Sequence, residues 1–148
     1  MRPSFEPTIR PARAGDADHM ARLSGQLGYP ATAEETARRL LQVSGQSEHV
    51  VYVAEIDRKL IGWIHVFVNH SLLADTPAEI AGLIVDESHR GRGVGRVLME
   101  QAERWAMEHG CHSVRLRSNV LRSSAHVFYE RLGYQTIKTQ RAFCKELE

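Results

Sequence analysis

The spacing of apolar residues along the chain predicts alternating strands and helices. Residues 8–13 suit a short strand, and Asp16 is placed to cap a helix whose apolar positions are Met20, Leu23 and Leu27. Residues 28–30 read Gly-Tyr-Pro and end that helix. A second helix starts at Thr32, where Thr-Ala-Glu-Glu has the form of a capping box, and it ends near Gly45. Its predicted apolar face consists of Ala37, Leu40, Leu41 and Ser44.

The middle of the chain changes to the composition of strands. Residues 50–56 and 60–69 are rich in β-branched and aromatic side chains, and residues 57–59 between them are few enough for a hairpin. A third strand over residues 78–85 leads straight into a glycine-rich stretch. Helical spacing then continues as far as Gly110 through Val94, Val97, Leu98, Ala102 and Trp105.

The last part of the chain predicts one more helix between strands. Residues 113–118 alternate polar and apolar as a strand does, and Ser123 or Ser124 can cap a helix that ends at Gly133. The apolar stripe of this helix is Ala125, Phe128, Tyr129 and Leu132. A closing hairpin is expected from two further stretches, residues 134–139 and 141–147.

Composition limits the classes of protein to which the chain can belong. Its 148 residues, 43% apolar and 25% charged, predict one globular domain over residues 1–148 with a mixed α/β fold. The formal net charge of +1 provides no basic field for nucleic acid, so any anion site must be local. Cys111 and Cys144 lack a metal-type spacing and suit a reducing compartment. With no signal-peptide pattern and no membrane-spanning apolar run, we expect a cytoplasmic protein without membrane partners.

The glycine-rich stretch at residues 90–95 reads Arg-Gly-Arg-Gly-Val-Gly and has the chemistry of a phosphate site. Glycines at 91, 93 and 95 allow backbone N–H groups to turn toward one point, and the helix that follows adds the positive end of its dipole. The stretch therefore predicts a diphosphate cradle, with Arg90, Arg92 and Arg96 as local cations. The alternative is a solvated glycine turn that merely starts a helix.

Two common nucleotide motifs do not fit this stretch. A Walker A loop ends in Gly-Lys-Ser/Thr, whereas Gly95 is followed by Arg96 and Val97, so neither the lysine nor the metal-binding hydroxyl is present. A dinucleotide fingerprint requires a third glycine where Arg96 stands and an acidic residue about twenty positions later, and residues 110–117 contain none. The ligand that remains is one with a diphosphate and no need for bound metal.

Two sequence blocks together resemble the GCN5-related N-acetyltransferase (GNAT) superfamily, which binds acetyl-coenzyme A. Arg90, Gly93 and Gly95, preceded by Leu-Ile-Val-Asp, match the family motif Arg/Gln-x-x-Gly-x-Gly/Ala, and residues 125–134 match its second block with AHVFYERLGY. The resemblance implies a GNAT fold of α/β type. Such a fold has a central, mostly antiparallel twisted sheet of six to seven strands, about four flanking helices and a splayed cleft for coenzyme A. Acetyl-coenzyme A is then the cosubstrate, and no metal is implied.

The resemblance also assigns the residues that hold the donor. The strand end before the loop, at Leu83, Ile84 and Val85, binds the pantetheine arm through its backbone as an added strand would. The diphosphate falls to the loop residues Arg90, Gly91, Arg92, Gly93, Val94, Gly95 and Arg96. Asn119 resembles a family asparagine that contacts the coenzyme, with Arg122 or Ser124 as alternatives, and His126 is expected to line the channel.

Acetyl transfer to an amine needs a base and benefits from an acid. Glu79 is the carboxylate that interrupts the apolar strand at 78–85, and it stands where several relatives keep a catalytic glutamate, so it is the candidate base. The alternative is an exposed acid at a strand start, with His65 and His70 in reserve. Tyr129 matches a family tyrosine near the coenzyme sulfur that acts as general acid. Its spacing alone favours the alternative, a member of the helix's apolar stripe.

The acceptor side is less defined. Tyr29, His65 and Asn69 are expected to form its walls, although His65 on the face of Trp63 and Phe67 also fits a hydrogen-bonded core histidine. Residues 118–134 resemble small-molecule acetylases, including aminoglycoside and aminoalkylphosphonate types. We therefore expect direct acetyl transfer to a primary amine of a small molecule. The alternatives are a protein or peptide N-terminal acetyltransferase and a non-catalytic acetyl-coenzyme A sensor. A homodimer is the family habit.

Overall fold

The computed structural model describes residues 6–118 and 120–148. Five strands form one sheet in the order β1-β2-β3-β4-β5, with antiparallel pairing throughout except for β4 and β5, which are parallel. The strands are β1 (Thr8–Pro11), β2 (His49–Ile56), β3 (Lys59–Val68), β4 (Ala78–Val85) and β5 (Val114–Leu116). The helices are α1 (Ala17–Gln26), α2 (Ala33–Ser44), α3 (Val94–Glu108) and α4 (Ser123–Arg131), with 3₁₀ turns at Ala14–Asp16 and Glu87–His89.

One face of the sheet packs against α1 and α2. A core cluster joins Met20 and Leu23 of α1 and Leu40 of α2 to the sheet, where Trp63 packs against it. Because side chains alternate along a strand, Trp63, His65 and Phe67 of β3 lie on this same face. This face carries the polar groups described below.

The opposite face packs against α3 at very short range. A Cβ atom added to Gly62 of β3 would lie 3.0 Å from the carbonyl oxygen of Ile84 and 3.2 Å from the Leu98 side chain. Leu98 and Val94 of α3 are buried against this point. A glycine is therefore required where α3 rests on the backbone of the sheet.

The predicted hairpin between β2 and β3 forms with a tight turn. Ile56 pairs with Lys59, so Asp57 and Arg58 make a two-residue loop. Their φ angles are 50° and 65°, the left-handed values of a type I′ turn, and neither residue is glycine. The turn thus has the correct length and direction, but its second central residue, Arg58, is unfavourable at a positive φ.

The first helix begins where predicted, although Asp16 has a different role. Its side chain makes no capping bond to α1; instead it accepts a hydrogen bond from the backbone N–H of Arg13 at 2.7 Å and pairs with Arg10 at 2.9 Å. Arg10 also pairs with Glu55 at 3.3 Å. The hydrogen bond from Arg10 holds the pKa of Asp16 below its usual value despite partial burial. Asp16 therefore holds Arg10 of β1, and Arg10 in turn joins β1 to β2 through Glu55.

The capping box of α2 is confirmed. Thr32 accepts a hydrogen bond from the backbone of Glu35, and Glu35 accepts one from the backbone of Thr32, each at 3.0 Å. The predicted apolar face is partly wrong, since Leu40 is buried but Leu41 is 77% exposed. Val43 takes the second apolar position because it lies three residues from Leu40 on the helix surface.

Residues 117–148 form a second compact unit by themselves. α4 starts at Ser123 with Arg122 as its N-cap, so neither Ser123 nor Ser124 caps it, and Gly133 follows its end with the expected positive φ of 94°. The closing hairpin is wrong, because described residues 134–148 form neither helix nor strand. Alternating residues favour an extended chain, but a strand needs a hydrogen-bonding neighbour as well.

The loss of that hairpin changes the strand count and leaves apolar side chains in solvent. The described sheet has five strands instead of six to seven. Ile137, Phe143 and Leu147 are each at least two-thirds exposed. The expectation of one domain over residues 1–148 stays a prediction. Within the described part of the chain, no helix has the length and apolar character needed to cross a membrane.

Candidate active site

The glycine loop joins β4 to α3 with two left-handed residues. Gly91 and Gly93 have φ angles of 78° and 86°, which side chains other than glycine rarely adopt. Gly93 is the N-cap of α3, which starts at Val94. Gly95 lies in the first helical turn, so its role differs from that of the other two.

The start of α3 leaves three backbone N–H groups for a ligand. Its first intrahelical hydrogen bond runs from Val97 to Gly93 at 3.1 Å, so the amides of Val94, Gly95 and Arg96 have no acceptor within the helix. Among the described residues, no side chain caps this end. The Arg96 guanidinium lies 3.8 Å from the position of a Cβ at Gly93. These N–H groups, the helix dipole and a guanidinium together suit an anion such as a diphosphate.

The Arg90 side chain, predicted to face a ligand, makes a hydrogen bond to the protein's own backbone. Its Nε donates a hydrogen bond to the carbonyl oxygen of Val85, 3.2 Å away, and so closes the loop onto the end of β4. Arg92 lies exposed within the loop. Arg96 therefore lies at the start of α3, and Arg90 holds the loop against the end of β4.

Gln26 and Asp86 are site residues that sequence reasoning missed. Gln26, the last residue of α1, accepts a hydrogen bond from the backbone of Glu87 at 3.0 Å and donates one to Asp86 at 3.4 Å. Burial alone would raise the pKa of Asp86, but hydrogen bonds from Ser88 and Gln26 lower it below its usual value. An ionised buried aspartate thus fixes the turn that precedes the loop. The sequence does contain a signal for this role, because Asp86 directly follows the apolar strand at residues 78–85.

The edge of β4 opens beside the loop. β5 pairs with Ala78, Glu79 and Ile80 of β4. Within the described residues, β4 has no strand partner on that side from residue 81 onward, so Leu83, Ile84 and Val85 have an open backbone edge. An extended ligand can add to such an edge by hydrogen bonding.

Glu79 and Asn69, predicted from separate arguments, are in direct contact. Asn69 Nδ2 donates a hydrogen bond to Glu79 Oε1 at 3.0 Å, and both side chains are half-buried. Glu79 lies opposite Phe67 on β3, so its side chain is on the α1 and α2 face.

A bulge at Ala81 places Glu79 on that face. Gly82 pairs with His65 while Ile80 pairs with Val66, which leaves Ala81 as an extra residue in β4. Simple alternation would put Glu79 and Ile84 on opposite faces, since they differ by an odd number of positions. The bulge brings both to the same face, which the sequence pattern does not reveal.

His65 contacts a second histidine that sequence reasoning missed. His65 Nε2 and His49 Nδ1 are 3.0 Å apart, and His49 stacks on Phe67 with ring centroids 5.1 Å apart. Burial, with a smaller contribution from His49, lowers the pKa of His65 to about 4. His65 is therefore uncharged at neutral pH. The other reserve histidine, His70, is exposed and pairs with Glu48 at 2.6 Å.

Trp63 provides a buried donor on the same face. Its indole Nε1 is buried and has no hydrogen-bond partner among the described residues. The ring lies against Gly82, where an added Cβ would come within 3.0 Å of Trp63 Cη2. An unpaired buried N–H next to an open strand edge is a position at which a ligand acceptor atom would gain a hydrogen bond.

The remaining predicted residues are placed as follows. Tyr129 lies on α4 in an aromatic group, with its ring 5.0 Å from Phe128 and 6.0 Å from Tyr134. Burial raises its pKa above the usual value, although the charge of Arg122 opposes the change.

His126 is half-buried on the same helix, Ser124 is exposed in its first turn, and Tyr29 is 62% exposed after α1. Asn119 lies outside the described residues.

The described residues contain no cluster of three or more His, Cys, Asp or Glu side chains suited to a metal ion. The donor groups assembled around the loop are N–H groups and guanidinium groups, and these bind anions. The expectation that the reaction needs no metal stays a prediction.

Comparison with known proteins matches residues 19–134 to the Acetyltransferase (GNAT) family. An aminoglycoside N(6')-acetyltransferase type 1 of Stenotrophomonas maltophilia is 28% identical over 96% of this chain and 95% of its own length. An uncharacterized N-acetyltransferase of Chlorobaculum tepidum is 31% identical over 93% of this chain and 81% of its own. The solved structure of AAC(6')-Iy in complex with a CoA-containing bisubstrate analog superposes with a TM-score of 0.84 at 18% identity, covering 96% of this chain and 99% of that one.

Proposed function

The chain belongs to the GNAT acetyltransferase family and is an acetyl-coenzyme A-dependent N-acetyltransferase, and from this premise we propose that its acceptor is a primary amine on a small molecule. The observation that carries the proposal is the hydrogen bond from Asn69 to Glu79, because Glu79 lies on β4, the strand that leads into the anion-binding loop. Two further features support it. First, the relative that matches almost the whole chain is by name an aminoglycoside acetyltransferase. Second, the polar side chains lie on the face of the sheet that packs against α1 and α2.

In this proposal the donor binds along β4. Its diphosphate accepts hydrogen bonds from the amides of Val94, Gly95 and Arg96 and pairs with the Arg96 guanidinium. The pantetheine arm then adds to the open edge at Leu83, Ile84 and Val85. From Val85 back to Glu79 is roughly 20 Å at about 3.3 Å per residue, which leaves room for an extended arm with its thioester near the acceptor groups.

Glu79 is the proposed base, and Asn69 orients it. An alkyl ammonium with a pKa near 10 carries no free lone pair at neutral pH, so it must lose a proton before it attacks. Glu79 takes that proton directly or through one water. The amine nitrogen then bonds to the thioester carbon, the carbon–sulfur bond breaks and the second proton of the nitrogen passes to water, without a covalent enzyme intermediate. Backbone N–H groups at the open edge of β4 stabilise the anionic oxygen as it develops.

Tyr129 is the proposed acid for the departing thiolate. A phenol whose pKa is raised by burial keeps its proton at neutral pH and can donate it. Asn119 and His126, with Arg122 or Ser124 as alternatives to Asn119, are the further coenzyme contacts proposed from the family pattern. Tyr29 and His65 are proposed walls of the acceptor pocket, and a cytoplasmic homodimer is the proposed working form.

A thiol-release assay with acetyl-coenzyme A and a panel of small amines tests the proposal. We expect turnover with at least one primary amine, a large loss of kcat in Glu79→Gln and a smaller loss in Tyr129→Phe. Calorimetry with acetyl-coenzyme A provides the control, because neither variant removes a group that grips the diphosphate. Donor binding without turnover on any amine would favour a sensing module. Turnover confined to peptide N-termini would favour the N-terminal acetyltransferase.

A further inference from the structure

We propose that His65 and His49 form a hydrogen-bonded imidazole pair that binds the acceptor's amino group, with His65 Nδ1 accepting a hydrogen bond from it and His49 positioning His65. This inference rests on the proposed function, because it assigns part of the acceptor pocket. The ligand class is a primary alkylamine or alkylammonium group on a polar small molecule.

The geometry of the pair fixes which atoms can act. His65 Nε2 and His49 Nδ1 lie 3.0 Å apart, so one of them donates and the other accepts. When His65 donates through Nε2–H, its Nδ1 carries a lone pair and is free to accept. Among the described residues, His65 Nδ1 makes no hydrogen bond, and the His65 side chain is half-buried. This tautomer is part of the proposal, and in it the pair presents His65 Nδ1 as its acceptor atom.

The absence of charge on His65 suits a cationic ligand. Burial disfavours the imidazolium form, so His65 keeps its lone pair at neutral pH and does not repel an ammonium group. A lysine or arginine at this position would repel it. Glu79 is on the same face and has Phe67 on one side and Arg115 on the other in the strand register.

Phe67 holds the two polar positions apart. His49 stacks on the Phe67 ring at 5.1 Å with the planes 9° apart, and Phe67 lies opposite Glu79 in the sheet. Across the sheet, His49, Phe67 and Glu79 therefore present an imidazole ring, an apolar ring and a carboxylate in that order. An alkylamine fits this sequence of surfaces, because its methylene groups can lie on Phe67 while its amino group reaches a polar atom beside that ring.

Two substitutions at residue 65 separate the roles of the two ring nitrogens. His65→Gln places a polar atom near the position of Nε2 and can keep the contact with His49, but it has no acceptor at the position of Nδ1. His65→Asn places an amide oxygen near the position of Nδ1 and loses the contact with His49. His112→Gln, at an exposed histidine between α3 and β5, is the matched control.

We expect His65→Gln to raise the KM of the acceptor about 10-fold, the effect of one lost charge-assisted hydrogen bond, while the Kd of acetyl-coenzyme A stays unchanged. His65→Asn should have a smaller effect, and His49→Phe, which frees the imidazole to rotate, should raise the KM with little change in kcat. Equal acceptor KM values in wild type and His65→Gln would overturn the inference. Equal losses of donor and acceptor binding would also overturn it.

Nitrogen-15 NMR of the histidine rings tests the pair without turnover. With coenzyme A bound, we expect His65 as the neutral tautomer protonated at Nε2, and a shift of its Nδ1 resonance when butylammonium chloride is added. A charged His65, or an Nδ1 resonance that ignores the amine, would refute the inference. Wild type that turns over no amine would instead refute the proposed function, and the NMR titration still decides whether the pair binds one.

Discussion

Asn69 donates a hydrogen bond to Glu79 over 3.0 Å, and this contact joins the residue that follows β3 to the second residue of β4. The backbone reinforces it, since Asn69 N–H also donates to the carbonyl oxygen of Pro77 at 2.9 Å. The amide therefore holds one carboxylate oxygen and leaves the other available to a substrate.

Removal of this amide tests its orienting role. Asn69→Ala should lower kcat about 10-fold with little change in the Kd of acetyl-coenzyme A, because a freely rotating carboxylate spends less time in the reactive geometry. Thiol release at saturating amine measures kcat, and calorimetry measures the Kd. Gln42→Ala, which removes an exposed amide side chain on α2, is the control. An unchanged kcat in Asn69→Ala would show that Glu79 needs no orientation from Asn69.

The left-handed glycine at the start of α3 provides a second prediction. Gly93→Ala should destabilise the fold by about 1–2 kcal/mol, because its φ of 86° is unfavourable for alanine, and it should weaken acetyl-coenzyme A binding at least several-fold. Gly25→Ala is the control: this glycine is in α1 with no atom within 4 Å of its added Cβ, so the change should be neutral or stabilising by up to about 1 kcal/mol. Urea unfolding and calorimetry distinguish the two. Equal effects at both positions would contradict the prediction.

The β2–β3 turn offers a stabilising substitution. Arg58→Gly should raise the free energy of unfolding by about 0.5–1 kcal/mol, because glycine adopts a φ of 65° at no steric cost. Lys59→Gly is the matched control and should destabilise, since Lys59 is in β3 with an extended backbone. The midpoint of urea unfolding measures both. If Arg58→Gly lowered the midpoint, the turn would not have the conformation described.

The uncharged state of His65 predicts a pH dependence of stability. Its pKa is about 4 in the folded protein against an ordinary 6.5, so between these values the unfolded chain binds more protons than the folded one. The stability contribution is complete above about pH 6.5 and is lost as the pH falls toward 4. Urea unfolding from pH 4 to 8 should show a shallower slope over this range in His65→Gln. Identical slopes would mean that His65 titrates normally.

The close packing of Gly82 and Trp63 is a further test of the site. Gly82→Ala puts a Cβ within 3.0 Å of Trp63 Cη2, so the indole must move from the face it shares with His65. We expect a change in tryptophan fluorescence and a loss of acceptor turnover, with donor binding less affected. Gly45→Ala, with no atom within 4 Å of its added Cβ, is the control.

Sequence reasoning predicted the elements that depend on local patterns. The bounds of β4, the capping box at Thr32 and the helix start after Gly93 all follow from short-range chemistry, and all are confirmed. Arg90, Gly93 and Gly95 identified the loop because the family motif is local too. Glu79 and Asn69 were both named, but nothing in the pattern indicated that they touch.

Features that depend on pairing between distant segments were missed. The bulge at Ala81 appears only when β4 is aligned with β3, and His49 becomes a site residue only through its contact with His65. Gln26 reaches Asp86 from sixty positions away. The closing hairpin failed for the related reason that alternation describes an extended chain and does not supply its neighbour.

The close contact of α3 with the backbone at Gly62 places the glycine loop and the polar side chains on opposite faces of the sheet, so that evolution can change one without the other. The loop is seated from one side of the sheet, where even a methyl group would not fit, whereas His49, His65 and Glu79 project from the other side. Substitutions on the face that carries His65 and Glu79 could therefore change the preference for amines during evolution, while the binding of the thioester carrier stays the same.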